Sequence, residues 1–390
     1  MKALVSGLAV GTAALLLVGP AYSQLQPSGY FEPQFTITVL DDEVLELNSN
    51  KVRVDLNSEI SDGVTFTGNL NFIDYNGLTT WDLLDFLPDN LVARLPEHSL
   101  PQYSLNYQDE WKLDNAYLRL RSGVLMVTIG RQQMSVGSGY GWNPTDLFNA
   151  KDIMDPTYEQ PGVNGVRVDI GLSDHHTLVT FYSPEGKWTE SGKLIRLLGR
   201  LSHFDYALSA GQRRETRTDF TTFQANEPRQ DVLGFDLNGE LMGVGCWSEN
   251  VFGYIEGDGH YWESITGADY TFSSGWYVMA EYYYNDAGKK QHDDYSLDDW
   301  MRYLTAETRT LGRSQFYSYT VYPLTDLLTV GGSFVYCTSD NSLLVIPTCA
   351  YSISGNVTLT FFGSIYSGRE GAMYSRDMGK GGIVRLRAHF

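Results

Sequence analysis

Alternation with a period of two runs through this chain from its first quarter to its last residue. Val52, Val54 and Leu56 alternate with Arg53, Asp55 and Asn57; Leu118 and Leu120 with Arg119 and Arg121; Val166, Val168 and Ile170 with Arg167 and Asp169. Ile195, Leu197 and Leu201 flank Arg196 and Arg200, and Leu233, Phe235 and Leu237 flank Asp236 and Asn238. Val357, Leu359, Phe361 and Ile365 repeat the pattern around Thr358, Thr360 and Ser364. Successive side chains of a strand point to opposite faces, so each run is a strand with one apolar and one polar face, and none has helical spacing. Such a strand must bury its apolar face, either against a second sheet or in lipid.

The junctions favour lipid. Tight turns stand at Ser61-Asp62-Gly63, Arg121-Ser122-Gly123, Ser173-Asp174-His175, His203-Phe204-Asp205, Ser273-Ser274-Gly275 and Gly355-Asn356. Between them lie long polar insertions at 76–112, 134–162, 184–192, 218–230, 286–312 and 368–380. Short turns on one rim and long loops on the other are the pattern of a transmembrane barrel. A closed barrel is also the only β-structure that leaves no backbone group unpaired in hydrocarbon. Tyr261-Trp262, Tyr270-Thr271-Phe272, Trp276-Tyr277, Tyr282-Tyr283-Tyr284 and Phe316-Tyr317 fall near strand ends, where rings belong at lipid–water interfaces. A secreted β-sandwich or propeller would explain the alternation but not this rhythm. The expected fold is therefore all-β: a transmembrane antiparallel up-and-down β-barrel of about 18 strands (16–18), with short periplasmic turns and long extracellular loops.

The two ends agree. Residues 1–23 read as a cleaved signal peptide: Lys2, an apolar run from Ala3 to Val18, then Ala21-Tyr22-Ser23 with small residues at the −3 and −1 positions. A membrane anchor is the weaker reading of this glycine-interrupted segment. Residues 24–390 then form one barrel domain. The final "GGIVRLRAHF" places Val384, Leu386, Ala388 and Phe390 on one face and Arg385, Arg387 and His389 on the other. An alternating strand ending in phenylalanine resembles the assembly signal of bacterial outer-membrane proteins, which implies the barrel-assembly machinery as a partner through Phe390. The expected location is the outer membrane of a Gram-negative bacterium, in contact with lipids and lipopolysaccharide. With 47 acidic against 28 basic residues, nucleic acid is excluded as a partner. Cys246, Cys337 and Cys349 have no metal-ligand spacing, although the last two could meet across a hairpin.

If the polar faces point inward, the charges segregate. Arg53, Arg119, Arg121, Arg167, Arg196, Arg200, Arg385 and Arg387 come from the expected second, fourth, sixth, eighth and last strands, which closure makes one basic wall. Asp236, Glu263, Asp269 and Glu281 come from the tenth to thirteenth strands and would face that wall across water. Guanidiniums opposite carboxylates in an aqueous lumen set up a transverse field that filters by charge. The plainer reading is that these charges solvate the inner face and brace one another. Either way the lumen is wet, because burying so many arginines dry is prohibitive.

The insertion at 130–163 contains Gly130-Arg131-Gln132, then Gly137, Gly139 and Gly141, then Trp142-Asn143-Pro144-Thr145-Asp146. Asn143 and Pro144 read as the N-cap and first position of a short helix carrying Leu147 and Phe148. The segment is too apolar to stand in solvent and too polar for lipid, so it is expected inside the mouth. There Trp142, Asn143 and Asp146 would form a constriction. No Gly-Lys-Ser/Thr follows the glycines, so a phosphate loop is disfavoured. This stretch resembles a porin-like family of bacterial outer-membrane barrels, and more distantly the alginate-export-type porins. The latter resemblance implies 18 strands and a cationic lumen.

A second helix is expected at 296–304, where Ser296 and Asp299 make a capping-box pair ahead of Leu297, Trp300, Met301 and Leu304. It reads as packing on the barrel rim, or as a lid. Of seven histidines, His260 and His292 lie near Asp258, Asp293 and Asp294 and could be imagined in a hydrolytic pair or weak metal site; none of the seven lies in a known catalytic motif. The function expected is thus a non-enzymatic, porin-like channel. It would pass small hydrophilic solutes passively, anions preferentially, with no metal and no cofactor. A lipid- or peptide-cleaving barrel and a plugged surface or assembly barrel are the alternatives. Homo-oligomers are common at this size, but the sequence offers no defined interface.

Overall fold

The computed structural model describes residues 26–40, 43–93, 95, 103–149, 151, 153, 155, 159–220 and 222–390. The expected signal peptide and His98 lie outside them. Eighteen antiparallel strands close into one barrel. In chain order they are β1 Gln26–Leu40, β2 Glu43–Ser61, β3 Val64–Gly77, β4 Glu110–Ser122, β5 Leu125–Gln132 and β6 Val163–Ser173. Then follow β7 His176–Ser183, β8 Gly192–Leu201, β9 Phe204–Arg214, β10 Arg229–Leu241, β11 Val244–Ile255 and β12 Gly259–Thr271. The last are β13 Tyr277–Asn285, β14 Ser314–Pro323, β15 Leu328–Cys337, β16 Ser342–Ser354, β17 Val357–Ser367 and β18 Lys380–His389. Each strand pairs with its chain neighbour, and β18 returns to β1 with Gln34 opposite Arg385. Phe390 and Gly29 exchange two backbone hydrogen bonds of 3.0 and 3.1 Å at the closing end. No described helix is long and apolar enough to cross a membrane; the crossing is by strands.

Strand phase follows the side chains. Phe31, Phe35, Ile37, Leu120, Ile195, Leu208, Leu233, Phe361 and Val384 are exposed on the outer wall, as a surface meant for lipid must be. The aromatic clusters divide by phase. Trp262, Tyr270, Tyr282 and Phe316 take outward phases, and Phe252 and Trp262 stack 6.4 Å apart. Their neighbours Tyr261, Tyr277, Tyr283 and Tyr317 alternate inward. Only alternate rings therefore belong to the girdles.

One expectation needs correction and one open question is answered. Long connections occur at six outer junctions, but residues 256–258 and 338–341 join their strands tightly on the same rim, so the short/long rhythm is not strict. The cysteines are free: Cys337 is buried inside opposite Ser342, whereas Cys349 lies opposite Val330 on the outward phase. A Cys337–Cys349 bridge would have to pass through the wall.

Candidate pore and constriction

The connection between β5 and β6 folds into the lumen and is held at both walls. On one side its backbone amides meet carboxylates. Glu281 of β13 accepts from the Tyr140, Gly141 and Trp142 amides at 2.8, 2.9 and 3.1 Å, and from Trp247 Nε1 at 2.7 Å. Glu249 of β11 accepts from the Ser138, Gly139 and Thr145 amides and from Thr145 Oγ1 at 2.8 Å. Successive amides converging on an oxyanion form a nest, and the Gly137-x-Gly139-x-Gly141 spacing permits it; Gly137 itself has φ +89°. The anions in this nest belong to the protein's own wall.

On the other side the loop supplies the anions. Glu159 accepts from Tyr30 Oη at 2.8 Å, Lys51 Nζ at 2.8 Å and Arg53 Nη1 at 2.9 Å, with Arg387 at 3.7 Å. Asp155 pairs with Arg385 at 2.7 Å. Burial alone would raise the Glu159 carboxyl, but the hydrogen bond and charge of Lys51, with Tyr30 and Arg53, hold it below the usual range. Between the anchors, Asp146 accepts from the Val136, Phe148 and Asn149 amides and from Gln160, while burial pushes its carboxyl upward. Burial also lowers the Lys151 ammonium, which donates to the Gly139 carbonyl.

Apolar packing fixes the rest of the loop. Met134, Val136 and Leu147 pack with Phe181, Leu194, Val232 and Val251 of the inner wall. Trp142 stacks on Tyr283 at 4.8 Å and meets Tyr317 edge-on at 6.1 Å. A larger core joins Trp142 to the outer loops through Leu83, Tyr103, Phe220, Trp300 and Met373. Near the outer mouth a cavity of about 1090 Å³ is lined by Arg213, Arg217, Arg302 and Arg309, with Glu215 and Glu307. Arg309 donates to the Asn143, Asp146 and Asn149 carbonyls and fixes the loop from above.

Solved structures share this architecture. OccAB1 of Acinetobacter baumannii matches with a TM-score of 0.59 at 9% identity, over 96% of this chain and 99% of that one. A BenF-like porin from Pseudomonas fluorescens Pf-5 matches with 0.57 at 10% identity, over 94% and 98%. OccD3 (OpdP) of Pseudomonas aeruginosa matches with 0.50 at 10% identity, over 95% and 93%. The fold is that of an outer-membrane porin. No protein-family model matches the sequence, and no curated protein matches it.

In this porin-like barrel the residues singled out from the sequence all share the inward phase, but their surroundings differ from the expected basic wall facing open acids. Arg53 meets Asp55, Asp114 and Glu159; Arg385 and Arg387 share Glu32. Arg167 pairs with Asp169 at 2.7 Å, Arg196 with Asp236 at 2.6 Å, and Arg200 with Asp205 at 2.6 Å. Only Arg119 and Arg121 of the eight have no carboxylate within ion-pair reach among the described residues; Arg119 donates to Thr128 and lies 5.3 Å from the Tyr117 ring. Glu281 is covered rather than facing water, Glu263 is buried in the wall of the outer-mouth cavity, and half-buried Asp269 accepts from Tyr277. Trp142, Asn143 and Asp146 are also buried and anchor the loop; of the three, Asp146 borders the outer-mouth cavity.

Sequence reasoning missed Glu249, Glu159, Glu32 and Arg309. Glu249 was hidden because apolar Trp247 and Val251 share its inward phase while Ser248 and Asn250 face out, inverting the usual pattern. The two histidines considered for a hydrolytic pair or metal site, His260 and His292, have ordinary neighbours. His260 packs on Tyr254 at 5.1 Å and His292 lies 3.3 Å from Asp293. Neither bonds a serine, threonine or cysteine among the described residues, which also hold no His/Cys/Asp/Glu group placed for a metal.

Proposed function

We propose that this chain is an outer-membrane channel of a Gram-negative bacterium, through which small hydrophilic solutes diffuse passively. One observation carries the reading: charged side chains line the inside of a closed barrel whose outside is apolar. Lys51, Arg53, Arg385 and Arg387 stand with Glu32, Asp55, Asp114, Asp155 and Glu159 on the β18–β4 side, opposite the part of the lumen filled by the apolar core. Ionised groups in such numbers need water, and water inside a membrane barrel is a path. The constriction is the inserted loop, narrowing the lumen from the β11–β14 side and touching the charged side through Asp155 and Glu159.

Anion preference is the finer part of the proposal, and it rests on Arg119 and Arg121 at the short-turn mouth. Paired arginines contribute little net field, whereas these two guanidiniums stay charged at any physiological pH and face the passage without counter-ions. The test is a planar-bilayer recording under asymmetric salt. Steady ohmic steps with chloride preferred over potassium are expected. Arg119→Gln with Arg121→Gln should move the reversal potential toward cations, while Arg167→Gln with Arg200→Gln moves it less. Silence would remove the channel reading; potassium preference in the wild type would remove the anionic one alone.

A further inference from the structure

A groove of about 890 Å³ crosses the outer wall of β6 to β9 in the half nearest the long loops. Its floor is built from the outward row Val168, Thr180, Ile195 and Ala210, which are register partners across four strands. Thr180 and Ala210 are small where neighbouring outward positions carry Leu208 and Leu233, and that difference makes the depression. The next outward row toward the long loops reads Val166, Tyr182, Lys193 and Gln212. The surface therefore passes from apolar to polar within one residue pair, as the wall of a membrane protein does at the head-group level.

The polar row carries one cation, Lys193, and continues on β10 with Asp231, which accepts from Gln212 Nε2 at 2.8 Å and is paired with Arg229 at 2.9 Å. Lys193 Nζ lies 4.4 Å from the Trp188 ring centroid and 3.2 Å from Gln212 Oε1, and has no carboxylate partner among the described residues. Trp188 stacks on Tyr182 at 5.1 Å and is itself exposed, forming an aromatic shoulder beside the groove. Arg214, two residues beyond Gln212 on β9 and outside the groove's own lining, stands at the edge of the outer-mouth cavity; it donates to the Glu227 carbonyl and has no ion-pair partner among the described residues either. Glu190, whose field reaches Arg214, is already paired with Lys187 at 2.9 Å. Cations bordering a membrane attract anionic head groups, and a lysine stem lies comfortably along apolar surface with its ammonium at the boundary.

We infer that this groove binds one phosphorylated lipid of the outer leaflet, with an acyl chain along the Val168–Ala210 floor and its phosphate on Lys193 and Arg214. Charge complementarity and position favour this occupant: the groove lies where hydrocarbon surrounds the barrel, and at its polar end Asp231 and Glu190 are paired with Arg229 and Lys187, while Lys193 and Arg214 keep their charge unpaired among the described residues. The inference rests on the barrel spanning a membrane and is independent of whether it conducts.

The test uses the full barrel in detergent, titrated with diphosphoryl lipid A and read by native mass spectrometry. One retained lipid per barrel is expected. Lys193→Gln and Arg214→Gln should each lower retention roughly fivefold, as expected for one near-surface cation. Ala210→Trp, which fills the groove from the lipid side, should abolish it; heat-modifiable mobility and unchanged single-channel conductance would show that the barrel is intact. Dephosphorylated lipid should bind weakly and inorganic phosphate should not compete. Equal retention by wild type and all variants would overturn the inference. So would a wild-type oligomer that Ala210→Trp converts to monomer, which would assign the groove to a second copy of the chain.

Discussion

Gly139 has no room for a methyl group. A Cβ there would overlap the Trp142 carbonyl and the Ile265 side chain, on the short stretch that carries the amides bound to Glu249 and Glu281. Gly139→Ala should cost about 1–3 kcal/mol of local packing and lift the loop from the wall. Single-channel conductance should rise while the barrel remains heat-modifiable; unchanged conductance would show that this loop does not set the narrowest point. A second test concerns phase. Leu120 is exposed on the outer wall and Arg119 points inward. Leu120→Arg puts a cation on the lipid face close to the short-turn rim, where the cost falls from roughly 2–4 kcal/mol at the midplane toward about 1. Arg119→Leu should leave folding intact and change ion selectivity, and equal damage from both would contradict the register. At this scale the sequence was readable wherever polar residues faced inward. It misled where the inserted loop packs, because Leu344 and Ile346 face a protein core while Val345 faces lipid, leaving no alternation to read.

Among the elements, two helices expected from capping signals had opposite outcomes. Leu297–Leu304 forms as the Ser296/Asp299 box requires, with Ser296 N donating to Asp299 Oδ2 at 2.9 Å, and it buries Trp300 and Met301. The Asn143-Pro144 helix does not form. Glu249 takes the Thr145 amide, Asp146 takes those of Phe148 and Asn149, and Arg309 takes three carbonyls, so tertiary partners occupy the groups a helix would pair internally. No local pattern announces that. The same loop should respond to acid in a fixed order. Asp146, raised by burial, takes up its proton above the usual aspartate range. Glu159 is depressed, so its contribution is complete above the ordinary value of about 4.3 and is lost as pH falls through its lower folded value. Channel noise should therefore rise on acidification in two stages. Glu159→Gln should remove the later, more acidic stage and show its noise already at neutral pH; an identical acid profile in the variant would exclude Glu159 as a tether.

Across the whole molecule, the strand number and closure were readable because lipid imposes one rule on every strand, whereas the charge distribution was not. Phase shows which arginines point inward but not which carboxylate lies two strands away, as Asp236 does from Arg196. A temporal consequence follows from the loop's second anchor. Asp155 and Glu159 hold Arg385 and Arg387 of β18 together with Tyr30 of β1 and Lys51 and Arg53 of β2. Gln34 and Arg385, which meet at that seam, are 351 positions apart. Contacts of such separation form late. The loop is synthesised early, yet its charged half has no complete docking place until the last strand has joined the first. Glu159→Ala should therefore leave strand closure possible but slow the appearance of the fully narrowed channel during refolding, followed by conductance over time. The diaphragm seats last, and its seating marks a finished wall.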